Sequence, residues 1–139
     1  LSKWEDFEVF PFIETLKELK NLGFLLIGIS NQSGISRGII REDFVKEVNQ
    51  FFIDKYGFDD FFYCPHHPDE RCFCRKPNPG MPLIARYKYG IDFSNSYVVG
   101  DKDIDMQLAQ MIGAKGILIG KDAKNLKEVV EIIKRDINA

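Results

Sequence analysis

All three cysteines and both histidines of the chain fall between Cys64 and Cys74, in the run Cys64-Pro65-His66-His67-Pro68-Asp69-Glu70-Arg71-Cys72-Phe73-Cys74. One residue separates Cys64 from His66, one separates Cys72 from Cys74, and five lie between His66 and Cys72. Three thiolates and one imidazole make a closed tetrahedral donor set, which zinc prefers and which leaves no position open for chemistry. Such an ion is structural: it pins a loop with too few apolar residues to fold alone. His67 competes with His66 for the fourth place, and the prolines on either side do not decide between them. An iron–sulfur centre is the weaker alternative, because clusters are held by four cysteines.

Arg75 and Lys76 follow the last cysteine directly, so a metal clamp would fix their direction. Arginine offers a planar fork to phosphate oxygens and lysine a compact charge that neutralises a phosphoryl group. Two further polar stretches carry similar chemistry. Ser30-Asn31-Gln32-Ser33-Gly34 sets hydroxyls, amides and backbone N–H groups where a phosphate could approach. Gly100-Asp101-Lys102-Asp103-Ile104-Asp105 brings carboxylates together, with Asp101 and Asp105 four residues apart and able to face one point at a helix start. Oxygen ligands beside a phosphate suit Mg²⁺. Asp101 is read as the ligand, and Asp103 as an acid complementing a helix dipole.

These stretches must be positioned by the rest of the chain. Apolar residues at helical spacing predict a helix from Phe10 to Leu22, followed by the stop at Gly23. Phe24–Ile29 is an apolar run suited to a strand buried on both faces, leading into the Ser30–Gly34 loop. Further helices are predicted over Arg41–Tyr56, Met81–Tyr89, Ile104–Ile112 and Ala123–Ile137, and strands over Phe58–Tyr63, Tyr97–Val99 and Gly116–Ile119. Helices alternating with apolar strands predict a single α/β domain: a doubly wound, mainly parallel sheet with helices on both faces. Ligands of such sheets sit beyond the carboxyl ends of the strands, where Ser30–Gly34, Cys64–Lys76 and Gly100–Asp105 all fall.

The bulk numbers agree with an ordinary core. The chain has 139 residues, 45% of them hydrophobic, and a net charge of −2, which gives no general affinity for nucleic acid or an anionic membrane. No apolar run reaches the ~20 residues that span a bilayer. Three cysteines at metal-like spacing speak against a disulfide scaffold and for a reducing cytoplasm.

Taken together, Ser30-Asn31-Gln32-Ser33-Gly34-Ile35-Ser36-Arg37-Gly38, Cys64-Pro65-His66, Cys72-Phe73-Cys74-Arg75-Lys76-Pro77 and Val99-Gly100-Asp101-Lys102 resemble the haloacid dehalogenase-like phosphatases. The resemblance is to the zinc-containing branch, which includes heptose bisphosphate phosphatases and histidinol-phosphatases, and it covers essentially the whole chain. It implies Mg²⁺-dependent phosphomonoester hydrolysis through an aspartyl-phosphate. Ser30 would hold a phosphate oxygen, Lys76 would neutralise the phosphoryl group, Arg75 and Lys102 would contact substrate with Asn31, Gln32 and Ser33 nearby, and Asp101 would bind Mg²⁺. Cys64, His66, Cys72 and Cys74 match the zinc ligands. The phosphate-contacting loops favour the 7-phosphate of D-glycero-D-manno-heptose 1,7-bisphosphate as substrate. The short gap between His66 and Cys72 is the feature nearer to histidinol-phosphatases. The expected partner is a small phosphorylated metabolite acted on by a monomer.

One departure stands out. The motif Asp-x-Asp-Gly, which would carry the nucleophile and the acid/base on the first strand, is absent from the 139 residues. Asp6 lacks the Asp-Gly that would follow it. The expectation is that a segment preceding the position of Trp4 supplies the motif and a central strand. A chain without it should not turn over, and a zinc-stabilised, sugar-phosphate-binding module is then the alternative.

Overall fold

The computed structural model describes residues 11–139. Phe10, Trp4 and Asp6 lie outside the described residues. After a turn of 3₁₀ helix at Ile13–Leu16 and a short α1 (Lys17–Asn21), the chain runs β1 (Ile27–Asn31), α2 (Glu42–Tyr56), β2 (Asp60–Cys64), α3 (Gly80–Tyr89), β3 (Tyr97–Gly100), α4 (Asp103–Ile112), β4 (Lys115–Leu118) and α5 (Leu126–Ile137). β1 pairs in parallel with β2, Ile27 opposite Asp60 and Asn31 opposite Cys64. β3 pairs in parallel with β4, Tyr97 opposite Lys115 and Gly100 opposite Leu118.

The first strand starts later than the apolar run suggests. Leu26 N–H donates to the Asp59 side chain at 2.8 Å, so a carboxylate and not a neighbouring strand satisfies it, and the ladder begins at Ile27. The strand then continues through Ser30 and Asn31, which belong to its end and not to a loop. α5 likewise starts at Leu126 and not at Ala123. Asn125 caps it by accepting from Glu128 N–H at 3.0 Å, while Ala123 makes an isolated bridge to Ile119.

Helices cover both faces of each strand pair. The Phe61 ring lies over Gly28, within 2.3 Å of where a Cβ would be, and Phe52 of α2 packs against that ring at 5.4 Å. Asp60 points the other way by strand alternation. There Lys88 and Tyr89 of α3 each reach it at 2.6 Å. In the second pair, Met106 and Ala109 of α4 sit over Gly116, and Ile117 on the opposite face joins the buried core of Ile13, Leu19, Leu26, Leu126, Val129, Val130 and Ile133. Val129 and Ile133 fall four apart on α5, one turn above each other, which aims both into that core. Burying each contributes roughly 1.5–3 kcal/mol.

The two pairs do not join. Among the described residues β1 bonds to β2 and β3 to β4, with no ladder between β1 and β3. A cleft of about 1000 Å³ separates them, lined by Ile27, Gly28, Ile29 and Ser30 on one side and by Tyr97, Val98, Val99 and Gly100 on the other. No helix among these residues is long and apolar enough to cross a membrane.

Candidate active site and metal clamp

Beyond the carboxyl ends of β1 and β3 the cleft lining brings together Ser30, Gln32, Lys76, Asp101 and Asp105. Ser30 Oγ accepts from Gln32 Nε2 at 3.3 Å, which leaves the hydroxyl proton free to be donated to an anion. Lys76 enters the cleft from the metal loop and is held by Asp105 at 2.8 Å, with side chains only 14% and 8% exposed. Asp105 Oδ2 also accepts from Lys102 N–H at 3.3 Å, and Asp105 N–H donates to Lys102 O at 3.0 Å, closing the first turn of α4. Asp101 is exposed and its carboxylate has no hydrogen bond or ion pair among the described residues. It is the carboxylate that a divalent cation could take.

Two details of this site are not evident from residue types. The spacing of Asp101 and Asp105 shows that both can face one point, but not that Asp105 is spent on Lys76. Gly100 is what makes room: a Cβ there would lie 2.2 Å from Asp105 Oδ2. Asn31 is the second. Its side chain does not face the cleft but brackets the backbone of Lys76, accepting from Lys76 N–H at 2.9 Å and donating to Lys76 O at 3.4 Å. Ser33, Arg75 and Lys102 also lie outside the cleft lining. Arg75 Nη1 is nevertheless buried with no hydrogen-bond partner among the described residues, a donor placed to receive an acceptor from elsewhere.

The cysteines and His66 converge as their spacing predicts. Ligand atoms of Cys64, His66, Cys72 and Cys74 all lie within 4.8 Å of one another. Sulfur separations run from 2.8 Å for Cys64–Cys74 to 3.6 Å for Cys72–Cys74, and His66 Nδ1 sits 3.5 Å from Cys64 and 3.2 Å from Cys74. A zinc tetrahedron has edges of about 3.8 Å, so the set needs to open only slightly to hold the ion. His67 is otherwise engaged. It starts a 3₁₀ turn at Pro68–Glu70, where its Nδ1 accepts from Asp69 N–H at 3.1 Å, which leaves His66 as the fourth donor.

The thiols themselves ask for a cation. Burial pushes Cys64 up, and burial together with hydrogen bonds to Cys64 and Cys72 pushes Cys74 up to about 12. Burial also works against ionising Cys72, yet hydrogen bonds from Cys64 and Cys74 bring it down to about 7. Three thiols this close cannot all ionise by themselves. A divalent ion removes that conflict, since its ligands bind as thiolates.

The parallel α/β scaffold thus sets a serine and a lysine at the strand ends, with an aspartate that has no partner among the described residues in the same cleft. The family model described as "HAD-hyrolase-like" matches residues 73–136. The chain belongs to the haloacid dehalogenase-like phosphatases. It is 37% identical over 144 residues to the D-glycero-alpha-D-manno-heptose-1,7-bisphosphate 7-phosphatase of Photorhabdus laumondii subsp. laumondii, covering 94% of this chain and 79% of that protein. It is 43% identical over 117 residues to the D-glycero-beta-D-manno-heptose-1,7-bisphosphate 7-phosphatase of Yersinia pestis, covering 74% of this chain and 62% of that protein. Its fold is similar to the crystal structure of D,D-heptose 1.7-bisphosphate phosphatase from B. bronchiseptica complexed with magnesium and phosphate, with a TM-score of 0.69 and 28% identity over 84% of this chain and 69% of that one.

Proposed function

We propose that the chain forms the phosphate-binding body of a phosphatase that removes the 7-phosphate from D-glycero-D-manno-heptose 1,7-bisphosphate. The observation that carries this reading is the convergence of Ser30, Lys76 and Asp101 on one cleft at the strand ends. The names of the relatives support the substrate. Ser30 donates to a phosphoryl oxygen and Lys76 neutralises its charge, with Gln32 beside them in the cleft lining; Arg75, Ser33 and Lys102 would meet the substrate from outside that lining, Arg75 through its buried donor. Asp101 would hold Mg²⁺, which supplies further charge neutralisation on the phosphoryl oxygens. Cys64, His66, Cys72 and Cys74 would hold zinc as a structural ion, and free thiols of this kind suit a reducing cytoplasm.

The attacking aspartate is not among the 139 residues as an Asp-x-Asp-Gly motif. We place it on a parallel strand lying in the cleft between β1 and β3, where both free edges would gain ladder partners and the strand's carboxyl end would come beside Ser30 and Lys76. A strand there would make the molecule a single doubly wound domain. Histidinol phosphate is not favoured, because the Photorhabdus and Yersinia relatives are both named for the heptose bisphosphate.

The test is phosphate release by the chain alone and by the chain joined to a strand bearing Asp-x-Asp-Gly. The joined protein should release the 7-phosphate of the heptose bisphosphate and turn over histidinol phosphate much more slowly. The chain alone should release nothing. A preference for histidinol phosphate by the joined protein overturns the substrate assignment. Phosphate binding without any hydrolysis by the joined protein would overturn the phosphatase reading and leave a sugar-phosphate-binding module, the alternative.

A further inference from the structure

The bracketing of Lys76 by Asn31 closes a ring of contacts that the chemistry of the site does not require. The Asn31 side chain grips the Lys76 backbone at 2.9 Å and 3.4 Å. The Asn31 backbone pairs with Cys64 in the β1–β2 ladder, and Gln32 N–H donates to Cys64 O at 2.7 Å. Cys64 belongs to the metal cluster with Cys74, and Cys74 is joined through Arg75 to Lys76. Every link is either covalent, a ladder pair, a hydrogen bond or a shared metal donor set. Opening the ring at the metal leaves Lys76 tied to β1 by one side chain. Opening it at Asn31 leaves the metal loop as the tie that remains within the ring.

From this we infer that Asn31 is a positioning residue, not a substrate contact, and that it shares with the occupied Cys/His cluster the task of holding Lys76 in the phosphate site. The inference rests on reading Lys76 as the phosphate-neutralising group. A carboxamide is suited to the task because it presents one acceptor and one donor to a single backbone residue, as a neighbouring strand would. Phosphate affinity and zinc affinity are then coupled, and the coupling is reciprocal.

The experiment measures binding of inorganic phosphate by calorimetry to the zinc-loaded and the chelator-stripped chain, for the native sequence and for Asn31→Ala. In the native chain, removing zinc should weaken phosphate roughly tenfold, the scale of one or two hydrogen bonds. In Asn31→Ala, affinity should already be lowered by about that factor, and removing zinc should then weaken it more than it does in the native chain, because the metal loop is the tie that remains. Asn31→Asp keeps the acceptor for Lys76 N–H and should retain zinc dependence at a lower overall affinity. A zinc effect in Asn31→Ala no larger than in the native chain overturns the inference, because the two ties would then not share the load. A second readout needs no substitution. In the zinc-loaded native chain, amide exchange at Lys76 should be slow, and chelation should speed it. Fast exchange with zinc bound also overturns the inference. If the zinc-loaded chain binds no phosphate at all, the reading of Lys76 fails, while the exchange measurement still decides whether Asn31 acts as the tie.

Discussion

At the scale of single residues, the site depends on small allowances more than on its reactive groups. Lys76 is useful as a cation in the cleft only because Asp105 keeps it there, and Asp105 fits only because Gly100 has no side chain. Replacing Asp105 by Ala would leave a buried ammonium without its partner, so the unfolding free energy measured in urea at neutral pH should fall by roughly 3–5 kcal/mol. Gly100→Ala should shift phosphate affinity and stability in the same direction, by displacing the carboxylate instead of deleting it. Unchanged stability in both variants would mean that the pair is dispensable. Residue types and spacing single out the cysteines, a neighbouring histidine, Ser30, Lys76 and Asp101 as candidates, because each is a chemically distinctive side chain, but His66 is told from His67 only by the turn that engages His67. They do not reveal the roles of Asn31 and Asp105, because a carboxamide or carboxylate at a strand end looks the same whether it meets a ligand or the protein's own backbone.

At the scale of elements, two ties hold the site-bearing loops and both can be loosened selectively. The first is the metal cluster. Chelation should disorder the stretch from Cys64 to Lys76, read as faster amide exchange there, while α5 and its core contacts keep their protection. The second is the anchoring of α3 on β2 through Asp60. Burial works to raise the Asp60 carboxyl, but hydrogen bonds from Lys88, Tyr89 and Phe61 N–H win and hold it below its ordinary 3.8. A folded-state value lower than the unfolded one means that this stability is complete above about pH 4 and is lost as pH falls through the acid range. Urea midpoints taken from pH 5 to pH 3 should therefore drop less steeply in Asp60→Asn than in the native chain. An equal slope would mean that Asp60 contributes nothing to the acid sensitivity. The alternation of helices and strands is legible in the apolar spacing, since periodicity depends on burial alone. The start of β1 is not, because Asp59 takes over the N–H of Leu26, a contact made by residues 33 positions apart.

At the scale of the whole molecule, the parallel α/β class follows from the alternation of elements, but the division of the sheet into two pairs does not. That division depends on which strand edges find partners, and apolar runs look alike whether they lie in the middle of a sheet or at its margin. Each pair is closed by its own local crossover, β1 through α2 to β2 and β3 through α4 to β4. Neither ladder has to wait for the other to form. The halves should therefore acquire structure as separate kinetic units, with the core around Ile117, Val129 and Ile133 forming as they dock. Pulse-labelling exchange during refolding should show the β1 and β2 amides gaining protection in a phase distinct from that of β3 and β4. A single shared phase would mean that the divided sheet nonetheless folds as one cooperative unit.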